Sequence, residues 1–161
     1  MKGIYKYMKL FKIMLGVMLN FLVSLGIGLI IGSCSSNTTQ RNPYLLELSF
    51  QQQIDLNLPQ YNNLLYAGGA VLLQQYGHKG ILVFNLNGSN YLAWDASCPN
   101  HLPNNCSQTA IEGVLSVCSC EQYQYSLANG QLLNPPEDAT QVYPLLNYQV
   151  VVRGTSLVIS N

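Results

Sequence analysis

Two stretches decide the fold: Tyr91-Leu-Ala-Trp-Asp-Ala-Ser-Cys98-Pro-Asn-His101, and Val117-Cys-Ser-Cys120-Glu-Gln-Tyr123-Gln-Tyr125-Ser-Leu-Ala-Asn-Gly130. Each starts in a run of strand length and breaks into a cysteine-bearing loop. The first loop covers residues 97–107 and the second 118–122. Between them, Ala110 to Val117 is expected to form a hairpin turning near Glu112-Gly113. After the second loop, Tyr123 to Leu127 is expected as a strand, closed by the tight turn Asn129-Gly130.

Working outward, the same texture continues. Ala70 to Tyr76 and Ile81 to Leu86 are strands joined by the hairpin loop Gly77-His78-Lys79-Gly80, and Asn87-Gly88-Ser89-Asn90 turns the chain into Tyr91 to Asp95. Upstream, Leu46, Leu48 and Phe50 alternate with polar residues, as do Ile54, Leu56 and Leu58. Pro59 stops that run, and Gly68-Gly69 marks a turn or bulge. Downstream, Asn134-Pro-Pro-Glu137-Asp138 reads as a rigid surface loop. Gln141 to Leu145, Tyr148 to Val152 and Ser156 to Ile159 complete the strands, with Arg153-Gly154-Thr155 as the last turn. No helical period follows the N-terminal segment and no repeat is visible. Short, regularly spaced strands with Gly/Asn turns argue an all-β sandwich or barrel.

The N-terminal segment has a different character. Lys2, Lys6, Lys9 and Lys12 precede an apolar run from Ile13 to Gly32, which ends at Ser33-Cys34 and a polar Ser/Asn/Thr tract. A basic start, an apolar middle and small residues before the break read as a secretory signal. The placement of Cys34 resembles a bacterial lipobox, in which the cysteine thiol is lipidated and becomes the first mature residue. The alternative is an uncleaved span, since the run has spanning length. The expected division is a lipoprotein signal peptide over 1–33, a flexible tether over 34–44 and a β domain over 45–161, with a loop subdomain at about 95–136. The expected location is the cell envelope, on a membrane through the lipid anchor, at the periplasmic or outer-membrane side. Disulfides persist in such compartments.

Of the 161 residues only 9 % are charged, and the formal net charge is zero. Without residues 1–33, three basic residues (Arg41, Lys79, Arg153) face seven acidic ones, a net charge of −4. An acidic domain without a basic cluster argues against a nucleic-acid partner, because phosphate contacts need Lys and Arg.

The two cysteine loops and their surroundings resemble a Rieske-type iron–sulfur domain over about residues 70–160. The resemblance is carried by Tyr91 to Asp95 before Cys98-Pro99, by Val117-Cys118-Ser-Cys120, and by the aromatic-Ser-Leu-x-x-Gly run from Tyr125 to Gly130. Pro135-Pro136, Pro144-Leu145 and Tyr148-Gln-Val150 add to it. It implies an antiparallel β sandwich of three small sheets with both loops at one tip. It also implies a [2Fe–2S] cluster in which two thiolates hold one iron and two imidazoles the other. The family's first loop supplies Cys-x-His and its second Cys-x-x-His. Here Cys98 and Cys118 match the thiolates. Asn100 stands at the first histidine position, with His101 one residue late, and Glu121 stands at the second. The resemblance therefore maps the cluster site onto Cys98, His101, Cys118 and Glu121, a donor set poor in nitrogen. Gln122-Tyr123 replaces the family's Gly-Ser.

Cys106 and Cys120 fall where some members of that family carry a disulfide between the loops. The thiols equivalent to Cys98 and Cys118 approach one iron there, and without metal they would oxidise. The resemblance thus implies two disulfides, Cys106–Cys120 and Cys98–Cys118, each contributing about 3 kcal/mol by loop entropy. Spacing alone allows three pairings and does not choose. A further reading is a zinc site, with Cys98-x-x-His101 and Cys118-x-Cys120 supplying ligands.

Other residues read as ordinary. His78 is expected as a solvated loop histidine, Trp94 as core, Glu137-Asp138 as surface charge, and Tyr123 and Tyr125 as covering sheet edges and loops. With only two histidines, the two-His-one-carboxylate iron site of an oxygenase is out of reach. The expected function is a membrane-tethered envelope lipoprotein, non-enzymatic, with the cluster site replaced by disulfides. The alternative is an electron-transfer protein retaining a [2Fe–2S] cluster on atypical ligands. No catalytic residue is assigned, and no protein or redox partner is identified.

Overall fold

A computed structural model of the chain describes Lys12, residues 14–18 and residues 41–161. The six residues of the N-terminal part are helical and exposed. Among the described residues no helix is long and apolar enough to cross a membrane. The expected lipidation site Cys34, most of the signal segment and most of the tether lie outside the described residues. Residues 41–161 form one compact unit.

That unit is mostly β. Its strands are β1 (Gln51–Asp55), β2 (Ala70–Leu73), β3 (Ile81–Asn85), β4 (Tyr91–Asp95), β5 (Thr109–Glu112), β6 (Leu115–Cys118), β7 (Gln124–Ser126), β8 (Asn147–Arg153) and β9 (Ser156–Ser160). All pairs are antiparallel. Six strands run in the order β1-β9-β8-β4-β3-β2, and three in the order β5-β6-β7. The resemblance implies three small sheets, and hydrogen-bonded ladders give two. The reason is β8. Its first residues, Asn147 and Tyr148, pair with β4, while Gln149 to Arg153 pair with β9. One bent strand thereby fuses two ladders.

β3 is buried along its whole length. Side chains alternate across a strand, so Ile81 and Val83 enter one core while Leu82 and Phe84 enter the other. The first core joins Ile54, Leu64, Tyr148, Leu157 and Ile159. The second lies toward the three-stranded sheet and holds Trp94, Tyr125, Leu127 and both Cys98 and Cys118. The loop cysteines are therefore core residues as well as tip residues. Trp94 donates its indole N–H to the Leu127 carbonyl at 2.9 Å, tying β4 to the strand after the second loop.

Several expectations change. Leu46 to Phe50 form no strand; their carbonyls instead meet the chain end, with Asn161 donating from Nδ2 to the Leu48 carbonyl at 2.8 Å. Residues 59–65 form a short 3₁₀ helix with Pro59 in its first turn. About two 3₁₀ turns are too short to leave a periodic signal. Gln141 to Leu145 are not a strand either, because their backbone groups bond elsewhere. Tyr143 meets the Asn100 side chain, and Leu145 N–H donates to the Gly130 carbonyl at 2.8 Å.

Candidate functional site

Both loops are closed at the neck by backbone bonds, which fixes each cysteine at its root. In the first loop Cys98 N–H donates to the Ser107 carbonyl at 2.8 Å, and Thr109 N–H donates to the Ala96 carbonyl at 2.8 Å. In the second, Cys118 N–H donates to the Tyr123 carbonyl at 2.8 Å. The turn between places Gln122 at φ 59°, a left-handed conformation that favours glycine. The Gln122 amide holds that turn by donating to the Ser119 carbonyl at 3.1 Å.

The loops meet through sulfur. Cys98 and Cys118 are joined as a disulfide with Cα atoms 5.8 Å apart, and Cys106 and Cys120 as a second with Cα atoms 5.3 Å apart. The two differ in setting. Cys98 and Cys118 are fully buried, whereas Cys106 is exposed and Cys120 half-buried.

Asn100, at the position where the resemblance places a histidine, is committed to structure. Its Nδ2 donates to Tyr125 Oη and to the Tyr143 carbonyl, each at 2.9 Å, and its Oδ1 accepts from Tyr143 N–H at 2.7 Å. Tyr125 is fully buried, correcting the expectation that it covers a sheet edge. Burial pushes its phenol up to about 12; the bond from Asn100 lowers it, and Tyr123 and Glu121 raise it. Residues before the strands join this frame: Asn42 donates from Nδ2 to the Pro99 carbonyl at 2.8 Å, and the Tyr44 and Tyr143 rings meet edge to face.

His101 and Glu121 roof the inner disulfide. His101 Nε2 lies 3.7 Å from Cys118 Sγ and 3.2 Å from Glu121 Oε2, and Glu121 Oε2 lies 3.2 Å from Cys118 Sγ. The other imidazole nitrogen, Nδ1, is 2.9 Å from the Leu102 carbonyl. One donor atom from each of Cys98, His101, Cys118, Cys120 and Glu121 lies within 4.8 Å of all the others.

This donor set does not fit the two-iron cluster that the resemblance implies. Such a cluster separates a thiolate pair from an imidazole pair, one on each iron. Here there is one imidazole, a carboxylate replaces the second, and both thiols are bonded to each other. The donors also converge on a single point rather than on two.

A second polar centre lies beneath the first loop and was missed in the sequence. Asp95 is fully buried. Its Oδ1 accepts from Ser97 N–H at 2.7 Å, and its Oδ2 accepts from His78 N–H at 2.7 Å and from the Tyr148 hydroxyl. His78 Nδ1 lies 2.9 Å from the same Oδ2, and its side chain is only 15 % exposed, so it is not the solvated histidine expected. Burial and then the neighbouring Asp95 charge push the Tyr148 phenol far up. The centre fixes Ser97, and with it the start of the cysteine loop. The signal available was register: a hairpin over Gly77 to Gly80 returns His78 beside the end of β4. A cleft of about 250 Å³ lies beside the tip, walled by Tyr44, Asn100, Tyr123, Pro136 and Tyr143.

No protein-family profile matches the chain, and the search of curated proteins finds no match. Solved structures with a similar backbone course include the ferredoxin of carbazole 1,9a-dioxygenase from Nocardioides aromaticivorans IC177. It is 16 % identical, the match covers 71 % of this chain and 98 % of that one, and the TM-score is 0.45. The Sphingomonas yanoikuyae B1 ferredoxin is 19 % identical over 60 % of this chain and 88 % of its own, with a TM-score of 0.42. The E. coli protein NirD is 17 % identical over 71 % of this chain and 98 % of its own, with a TM-score of 0.38.

Proposed function

We propose that this chain is a membrane-tethered lipoprotein of the cell envelope. On this reading its β domain keeps a Rieske-like scaffold, and two loop-to-loop disulfides take the place of a [2Fe–2S] cluster. The domain acts as a structural or binding module and not as an electron carrier. The tip and the tyrosine-walled cleft beside it are its contact face.

The observation that carries the reading is the fate of position 100. A cluster histidine presents a nitrogen lone pair, and Asn100 has none: Nδ2 donates both its protons, to Tyr125 and Tyr143, and Oδ1 is turned inward to accept from Tyr143 N–H. The residue that would complete a nitrogen pair is used to fasten the loop to the domain. The disulfide between Cys98 and Cys118 agrees with it, because a bonded sulfur pair cannot also supply two thiolates. Cys34 as the lipidated residue is part of the proposal and rests on the sequence.

The test is to purify the full-length protein anaerobically from the membranes of cells that make it, without added reductant. Iron, acid-labile sulfide, visible absorption and the EPR signal after dithionite are then measured. A colourless, iron-free and EPR-silent preparation is expected. A red-brown preparation with two irons and two sulfides per chain would replace this reading with electron transfer.

A further inference from the structure

We propose that the tip is a redox-gated site for one borderline divalent cation of the zinc class. Cys98, Cys118, His101 and Glu121 are its four ligands, available once the inner disulfide is reduced. The inference rests on the proposed reading that residues 98 and 118 rest as a disulfide.

The argument starts from the imidazole. A backbone carbonyl can only accept, so the contact between His101 Nδ1 and the Leu102 carbonyl at 2.9 Å puts a proton on Nδ1. The neutral ring then has its lone pair on Nε2. That nitrogen faces Glu121 Oε2 at 3.2 Å and Cys118 Sγ at 3.7 Å. Three lone-pair-bearing atoms converging this closely form a ready cradle for a cation. An Nδ1–H donated to a backbone carbonyl is also how a metal-binding histidine is held with Nε2 aimed at the ion.

The spacing suits one ion. A tetrahedral centre with sulfur at about 2.3 Å and nitrogen or oxygen at about 2.0–2.1 Å has ligand–ligand edges of roughly 3.3–3.8 Å. The three contacts among His101, Cys118 and Glu121 are 3.7, 3.2 and 3.2 Å. Reduction lets the Cys98 sulfur move off Cys118 to the fourth vertex, with their Cα atoms already 5.8 Å apart. Cys120 is the competing fourth donor, but its sulfur is taken by Cys106 and the residue is less buried than Cys98. Access is from the solvent side past Glu121, whose side chain is 35 % exposed.

The chemistry balances with a dithiol as reductant. The Cys98–Cys118 bond accepts two electrons and two protons, the dithiol loses both and closes to its own disulfide, and the resulting thiols release two protons as the divalent ion binds. Glu121, through its carboxylate, and His101, through the Nε2 lone pair, complete the shell.

The experiment uses the full-length Cys106→Ser/Cys120→Ser variant in detergent, so that only one disulfide can be reduced. It is treated with dithiothreitol, desalted anaerobically and titrated with Co²⁺, then with Zn²⁺. Before reduction, no free thiol at residues 98 and 118 by peptide mapping supports the resting disulfide, and free thiols at both would overturn that premise without touching the metal site. After reduction, one Co²⁺ per chain with a thiolate-to-cobalt charge-transfer band is expected, displaced by one Zn²⁺. Cys98→Ser should abolish stoichiometric binding, and His101→Ala and Glu121→Gln should each weaken it ten-fold or more. The same titration on reduced wild type guards against a folding defect of the double variant. Absence of Co²⁺ binding in both proteins, or affinity unchanged in both His101→Ala and Glu121→Gln, would overturn the inference.

Discussion

Replacing Asn100 with alanine removes the three bonds that fasten the first loop to the domain. Two of them are donated by Nδ2, to Tyr125 Oη and to the Tyr143 carbonyl, and one is accepted by Oδ1 from Tyr143 N–H. Each contributes about 1 kcal/mol net, and the fully buried Tyr125 hydroxyl loses its partner, so Asn100→Ala is expected to cost about 3 kcal/mol. For a unit of this size that lowers Tm by roughly 10 °C. The assay is thermal and urea unfolding with disulfides intact, with Tyr125→Phe and the double variant completing a cycle. A coupling of about 1 kcal/mol between the two positions is expected, since they share one of the three bonds. A loss below about 1 kcal/mol, or no coupling, would show that position 100 does not fasten the loop and would remove the main support for a cluster-free tip.

Other perturbations probe separate parts of the account. Gly130→Ala places a Cβ 2.7 Å from the Trp94 ring at φ +73°, and should cost about 3 kcal/mol with a shift in the fluorescence of the single tryptophan. Gly88→Ala, where a Cβ meets nothing within 4 Å, should cost only about 1 kcal/mol. Asp95→Asn removes the charge that accepts from Ser97, His78 and Tyr148, and should lower stability by about 3 kcal/mol in urea unfolding. Replacing Cys106 and Cys120 with serine should cost about 2.7 kcal/mol by chain entropy, a little less than an isolated bridge, because the remaining disulfide already shortens the loop it would close. Stability should also fall at high pH. Tyr125 is raised to about 12 in the folded chain against about 10 when unfolded, so its contribution is full below pH 10 and is lost as pH rises toward 12. Urea midpoints at pH 8, 10 and 11 check this: a midpoint that rises with pH contradicts the sign.

The strands nearest the cysteine loops were legible because turn chemistry brackets them. Gly80, Asn87-Gly88 and Glu112-Gly113 sit at the ends of β3, β4 and the β5–β6 hairpin, and the apolar runs between them are of strand length. Outside that region alternation misled. Leu46, Leu48 and Phe50 have the period of a strand, but the β1–β9 ladder begins only at Gln51, and before it Asn161 bonds to the Leu48 and Phe50 carbonyls. Gln141 to Leu145 give their backbone bonds to a side chain and a turn. At the site, Cys98, His101, Cys118 and Glu121 could be picked out from spacing and resemblance, but not what each touches. In sequence His101 stands one residue out of the expected register, which does not say where its ring points. In the folded chain Asn100 turns inward to Tyr125 and Tyr143, while His101, the next residue, faces the sulfurs. Asp95 and His78 were unreadable as a pair because His78 lies in the loop before β3 and Asp95 at the end of β4, 17 residues apart in sequence, and they meet only through the β3–β4 register.

The most direct measurement is the covalent state of the four tip cysteines in full-length protein taken from membranes without reductant and alkylated at once. Peptide mapping with fragmentation between residues 118 and 120 should find residue 98 linked to 118 and residue 106 linked to 120, with no free thiol among them. Alkylated residues 98 and 118 accompanied by two irons and two sulfides per chain would contradict the account.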